Sequence, residues 1–224
     1  MIKSILILLL FSCTISGMNF QCPTEDLFIT KDQKPKARFT QLVSNESLVW
    51  LRLGCPGGCS GFIVGKNLVM TSAHCTKGSP LSFVNFSDGK MALGISIAIG
   101  EYSGDVENDW ALLQVDTQNR KPLLLACFSP KVNETGSDLT CGGRDWPKQQ
   151  SYTIKFNGTE KGQNDIILKG PIDHGDSGSP VLNSSGNVVG IVSQLTTLDS
   201  QEGFATPLSS LRKALSNFDI PDCK

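Results

Sequence analysis

Apolar positions along the chain fall in short runs separated by turn residues. Residues 49–53, 61–65, 68–72, 81–86, 92–98 and 111–115 form a first group. Residues 139–142, 152–156, 165–168, 180–183, 188–194 and 203–206 form a second. Runs of this length and spacing predict an antiparallel all-β chain built as barrels or sandwiches. Asn183-Ser184-Ser185-Gly186-Asn187 lies between two runs and predicts a hairpin turn. Residues 118–122 are a polar connection between the groups. The end differs. Leu208, Leu211, Leu215 and Phe218 recur at helical spacing, with Arg212 and Lys213 between them and Pro207 at a first turn. A short amphipathic helix packed on the sheets is expected there.

The amino terminus carries a different signal. Lys3 precedes an apolar run over 5–11, and small residues follow at Thr14, Ser16 and Gly17. A basic start, a short apolar run and small residues at its exit predict a secretory signal peptide over 1–17, cut near Ser16 or Gly17. The run is shorter than the roughly 20 apolar residues that cross a bilayer. No later stretch has that length, so a soluble, extracellular mature chain is expected. The eight cysteines agree, because an oxidising compartment would pair most of the seven left once Cys13 is removed. Five N-x-Ser/Thr sequons, at Asn45, Asn85, Asn133, Asn157 and Asn183, are candidate glycosylation sites. The 20 basic and 21 acidic side chains balance, so no strong field favours nucleic acid or an anionic membrane. Hydrophobic residues at 39% are enough for a core and exclude disorder as the main state.

Three segments carry candidate chemistry: Thr71-Ser72-Ala73-His74-Cys75, Asn108-Asp109-Trp110-Ala111-Leu112-Leu113 and Gly175-Asp176-Ser177-Gly178-Ser179-Pro180. Each alone has an ordinary structural reading. Together they supply a nucleophile, a base and an orienting acid. A serine hydroxyl is a poor nucleophile near neutrality and needs a base such as His. A buried carboxylate can hold the imidazole in one tautomer from its far side. Glycines around Ser177 permit a tight turn in which backbone N–H groups converge on an oxyanion. His174 is a rival base and Asp105 a rival acid.

In the order His, Asp, Ser, these segments resemble the chymotrypsin/trypsin clan of serine endopeptidases. Cys59-Ser60-Gly61-Phe62-Ile63-Val64 followed by Thr71-Ser72-Ala73-His74-Cys75 matches the strand pair that delivers the family's base. The likeness runs from about Val49 to Leu215. Gly178-Ser179-Pro180-Val181-Leu182 and Gly203-Phe204-Ala205-Thr206-Pro207 are similar to the compact branch of glutamyl endopeptidases and high-temperature-requirement proteases. The resemblance implies two six-stranded antiparallel β-barrels and a short C-terminal helix. The expected division is an N-terminal segment over 18–48, barrels over 49–120 and 121–206, and a helix with tail over 207–224. It also implies a Cys59–Cys75 disulfide, whose loop is worth roughly 3 kcal/mol. Ser177 would be the nucleophile, His74 the base and Asp109 its orienter, with the N–H groups of Gly175 and Ser177 as the oxyanion hole. Pro171, Ile172, Ser193, Gln194, Leu195 and Gly203 would bind substrate, the strand at Ser193 pairing with its backbone.

The pocket floor falls at Pro171 rather than an acidic residue, and Val192 stands where glutamyl endopeptidases carry a His. The expected preference is therefore for an uncharged, apolar side chain, although Asp173 lies nearby. In the chymotrypsin branch the residue matching Asp176 pairs with a new α-amino group after zymogen cleavage. The basic stretch Lys31, Lys34, Lys36 and Arg38 would be the place for such a cut, or a solvated linker. Cys22 could meet Cys127, while Cys141 and Cys223 have no evident partner. No cofactor or metal is expected, since the two His lack ligand spacing and Cys55/Cys59 have no second pair. The expected molecule is a monomer acting on polypeptide substrates and open to protein inhibitors, with no nucleic-acid or membrane partner. The alternative is a catalytically silent binding protein on the same fold.

Overall fold

The computed structural model describes residues 45–52, 58–76, 78–128, 135–140, 150–157, 166–169, 172, 174–195 and 202–221. Residues 1–17, the basic stretch 31–38, Cys22, Cys55, Cys141, Cys223, Asn133, Pro171 and Asp173 lie outside them. The architecture is mostly β, with a closed six-strand barrel, a second six-strand sheet and one terminal helix.

The first barrel comprises β1 (Leu48–Arg52), β2 (Cys59–Gly65), β3 (Leu68–Thr71), β4 (Leu81–Phe86), β5 (Met91–Ile99) and β6 (Ala111–Gln114). It closes in the order β1-β2-β3-β6-β5-β4, every pair antiparallel. The second sheet comprises β7 (Thr135–Thr140), β8 (Gln150–Asn157), β9 (Ile166–Lys169), β10 (Pro180–Leu182), β11 (Val188–Leu195) and β12 (Glu202–Pro207). Its pairings run β10-β11-β12-β9-β8-β7, and β10 also meets β7. The predicted strands recur with shifted ends. The largest shift is at β7, which occupies Thr135–Thr140 rather than 139–142. Thr-Gly-Ser-Asp at its start carries no apolar alternation, so its pairing with β8 and not its pattern defines it. The 183–187 turn is present, with Asn183 Oδ1 accepting from the N–H groups of Ser185 and Asn187.

Strand alternation divides the core in two. Val49, Leu51, Ile63, Val69, Val84, Phe86 and Leu113 fill the barrel. Their neighbours Leu48, Trp50, Phe62, Val64, Met70 and Leu112 point out of it and pack with residues of β9–β12. The halves are thus joined by a continuous apolar layer. The helix α1 (Leu208–Leu215) adds Leu208, Leu211 and Leu215 to that layer. It starts after Pro207, which caps it from an extended conformation, and stops three residues short of Phe218. Phe218 still packs against the core from a following turn, its N–H on the Leu215 carbonyl at 3.0 Å. Arg212 ties the helix to the Ala126 carbonyl.

On β5 the sequence Met-Ala-Leu-Gly-Ile-Ser-Ile-Ala-Ile alternates large and small residues. Up to Ser96 the small ones face inward, where Val84 and Val115 already occupy the space: a Cβ on Gly94 would lie 3.1 Å from each. The large ones at Met91, Leu93 and Ile95 face out and are exposed, and after a register shift Ala98 packs outside the barrel opposite Leu112.

Candidate active site

His74 sits in a 3-10 turn at 73–76, immediately after β3. Asp109 follows a second 3-10 turn at 106–108 and leads into β6. Because β3 and β6 are paired, Thr71 opposite Ala111, the two side chains are delivered to one end of the barrel. Asp109 is fully buried. Its Oδ1 accepts from the His74 backbone N–H at 3.0 Å, and its Oδ2 lies 2.8 Å from His74 Nδ1. Oδ2 also accepts from the Ser193 hydroxyl on β11. Burial pushes the Asp109 carboxyl up, but the His74 ring, the Ser193 hydroxyl and the His74 N–H together outweigh it and hold it below its ordinary value. The carboxylate is ionised near neutrality, and His74 Nδ1 is thereby assigned as the protonated nitrogen.

Ser177 lies in the turn before β10. Gly175 and Gly178 on either side have φ of 99° and 87°, the region that favours glycine. Gly178 is also sterically required. A Cβ there would lie 2.0 Å from the Ser60 carbonyl oxygen and 2.3 Å from Thr71 Oγ1. Ser60 clamps the turn from the first barrel. Its N–H donates to the Ser177 carbonyl and its hydroxyl to the Gly175 carbonyl, both at 2.8 Å. The N–H groups of Gly175 and Ser177 donate to no acceptor among the described residues. The Ser177 hydroxyl donates to the Ser193 carbonyl at 3.3 Å, and among the described residues it has no hydrogen bond to His74. That length is beyond the usual O–H···O range, so the tether is weak.

The rivals separate on geometry. Asp105 is exposed and caps the 106–108 turn, accepting from the Asn108 N–H at 2.9 Å. His174 is exposed at the edge of the Ser177 turn and is engaged in an interaction of its own. Asp176 is buried and likewise engaged. Gln194 Nε2 donates to the Tyr102 hydroxyl at 2.6 Å. Leu195 pairs with Gly203 across β11 and β12. Ile172 Cδ1 comes within 3.1 Å of where a Gly203 Cβ would stand. Pro171 is outside the described residues. Of the sequons, Asn45 is in a 3-10 turn, Asn85 in β4, Asn157 at the end of β8 and Asn183 in the hairpin turn.

Several residues that sequence reasoning passed over hold the site. Ser72 Oγ donates to the Val192 carbonyl at 2.9 Å. Thr206 Oγ1 donates to the carbonyls of Val106 and Asp109, at 2.8 and 3.0 Å. Both hydroxyls lie inside motifs that carry the family resemblance, which was the available signal. Tyr102 had none. Its ring centroid is 6.0 Å from that of His74, and burial with the Asp109 charge raises its phenol so that it stays protonated. A 380 Å³ pocket opens beside it, lined by Ala73, Thr76, Pro80 and Ile99 among others.

Cys59 and Cys75 are disulfide-bonded, with Cα atoms 6.1 Å apart. Their sulfurs and the His74 ring cluster at metal-ligand spacing. Oxidised sulfurs are not thiolates, so the cluster has no ligand set for a metal. Cys127 is also disulfide-bonded, to a partner outside the described residues.

Solved structures share this fold. The active form of the Rv3671c protease from M. tuberculosis aligns at 20% identity with a TM-score of 0.65, over 87% of this chain and 97% of that one. The inactive form aligns at 20% with a TM-score of 0.61, over 78% and 90%. The serine endoprotease from Yersinia pestis aligns at 18% with a TM-score of 0.66, over 77% and 62%. At this identity the likenesses establish the fold. The family model for the trypsin-like peptidase domain matches residues 59–191, more than half of the sequence. The chain therefore belongs to the trypsin-like peptidase family.

Proposed function

We propose that the protein is a secreted serine endopeptidase with two chymotrypsin-like barrels, cleaving peptide bonds between them through Ser177, His74 and Asp109. The observation that carries this reading is the buried Asp109 carboxylate, which grips His74 at both its backbone N–H and its ring. With Nδ1 protonated, Nε2 has the lone pair that a base needs. The Ser177 hydroxyl leaves the weak Ser193 contact, gives its proton to Nε2, and its oxygen bonds to the scissile carbonyl carbon. The carbonyl oxygen takes the negative charge, and the N–H groups of Gly175 and Ser177 are available to it. Such a donor typically contributes about 3 kcal/mol to the transition state. The imidazolium, stabilised by Asp109, then protonates the leaving amine as the C–N bond breaks. Water repeats the sequence on the acyl-enzyme and frees Ser177.

Ile172 packing against Gly203 supports a preference for uncharged, apolar side chains. A peptide library cut mainly after Arg or Glu would overturn that preference. The binding-protein alternative draws on one observation, the Ser177 hydroxyl turned toward Ser193 and not His74.

A fluorophosphonate probe on the secreted chain, with Ser177→Ala as control, decides between them. It should be run before and after limited cleavage within 31–38. Labelling of the uncut chain that vanishes in the control establishes the hydrolase and removes any need for activation there. Labelling only after cleavage assigns 31–38 as an activation segment. No labelling in either form refutes the enzyme reading.

A further inference from the structure

The outward positions of β1, β2, β3 and β6 are buried against the second half of the molecule, but those of β4 and β5 are not. Leu81 and Phe83 of β4, with Met91, Leu93 and Ile95 of β5 before its bulge, are each 47–58% exposed. The register sets Leu81 beside Ile95 and Phe83 beside Leu93, so they form one continuous face. At ~200 Å² per large side chain, half exposed, these five present roughly 500 Å² of apolar surface. That is at the upper end of what a monomer leaves open.

We propose that this face closes a homodimer, in which two β4–β5 hairpins stack face to face about a twofold axis. Sheet faces pack in this way at about 10 Å separation. Self-pairing doubles the buried area to about 1,000 Å² before any rim is counted, the area that a biological interface must clear and one that suits a dimer dissociating on dilution. The rim has the required character. Arg52 flanks Phe83, Gln114 flanks Ile95, and Asp88 and Lys90 occupy the hairpin turn. An apolar centre inside a polar border of both signs suits a protein partner. It offers no one-signed basic field for anionic lipid. Asn85 shares the face, opposite Met91, and its Nδ2 donates to the Trp50 carbonyl at 3.2 Å. A glycan there would hold two copies apart, so the dimer requires Asn85 to be unmodified.

Sedimentation velocity on the full secreted chain tests this, with Leu93→Glu and Ile95→Arg as variants. Wild type sediments as a dimer at micromolar concentration and dissociates on dilution, and both variants are monomers with native circular dichroism. Should the variants fail to fold, wild type alone gives a second readout. Peroxide oxidation of Met91, followed by mass spectrometry, slows as concentration rises through the dimerisation range. The proposal is overturned by a wild type that stays monomeric at the highest soluble concentration, whether its face is covered by another segment of the chain or floats with phosphatidylcholine vesicles. A dimer that survives both folded variants, oxidises at Met91 independently of concentration, or carries a glycan on Asn85 overturns it equally.

Discussion

Replacing Asp109 by Asn tests the catalytic reading with almost no change of volume. The carboxylate accepts three hydrogen bonds, from the His74 N–H, the His74 ring and the Ser193 hydroxyl. An amide can accept at one oxygen only. If its NH₂ replaced Oδ1 it would face the His74 N–H, donor against donor, at a cost of about 1–3 kcal/mol in a buried site. The other orientation wins, with NH₂ replacing Oδ2. The Ser193 hydroxyl can rotate to accept, but His74 Nδ1 must now accept as well, which moves the ring proton to Nε2. The base then points a proton at Ser177 where it needs a lone pair. The expected loss is about 10⁴-fold, or ~5.5 kcal/mol in the barrier. The second-order rate of fluorophosphonate labelling measures it without knowledge of the substrate, and near-ultraviolet circular dichroism checks the fold. A natively folded Asp109→Asn chain that labels within tenfold of wild type would refute the argument, because the tautomer would then not matter.

Three further outcomes follow from the same geometry. The Asp109 carboxyl is held below its ordinary value of 3.8, so its contribution to stability is fully present above that value. It is lost as pH falls through the depressed folded value. Thermal melts followed by tryptophan fluorescence should show a midpoint that drops below about pH 4, less steeply in Asp109→Asn. Gly178→Ala combines a φ of 87° with a Cβ 2.0 Å from the Ser60 carbonyl oxygen, and should lower stability by more than ~3 kcal/mol in urea unfolding or prevent folding. Cys59→Ser with Cys75→Ser opens a loop of sequence separation 16 and should cost about 3 kcal/mol by the same assay, with a partial loss of labelling as the His74 turn loosens.

Most of the strands and the candidate triad were legible because each depends on local sequence. Alternation marks strands, and the three motifs place a His after β3, an Asp before β6 and a Ser in a glycine-bracketed turn. What was not legible depends on residues far apart in the chain. Ser72 and Thr206 read as ordinary strand and turn hydroxyls, and only the docking of the two halves sets them on carbonyls 120 and 97 to 100 positions away. Tyr102 acquires its place beside His74 from the path of the 100–105 loop. The facing of β5 was hidden for another reason. A period of two says that the faces differ, but the space left by Val84 and Val115 decides which is inside, and here the small residues win.

The clasp between the halves also orders events in time. A ribosome releases β1 to β6 first, so His74 and Asp109 are made early. Asp109 lacks the Ser193 hydroxyl, and the Val106 and Asp109 carbonyls lack the Thr206 hydroxyl, until β11 and β12 emerge. Ser60, which clamps the Ser177 turn, waits for a segment 115 residues downstream. A nascent or truncated chain therefore contains the chemistry only as scattered side chains. Under the proposed function, competence would come only once the second sheet closes onto the first barrel, so that partly built copies could not cut their neighbours.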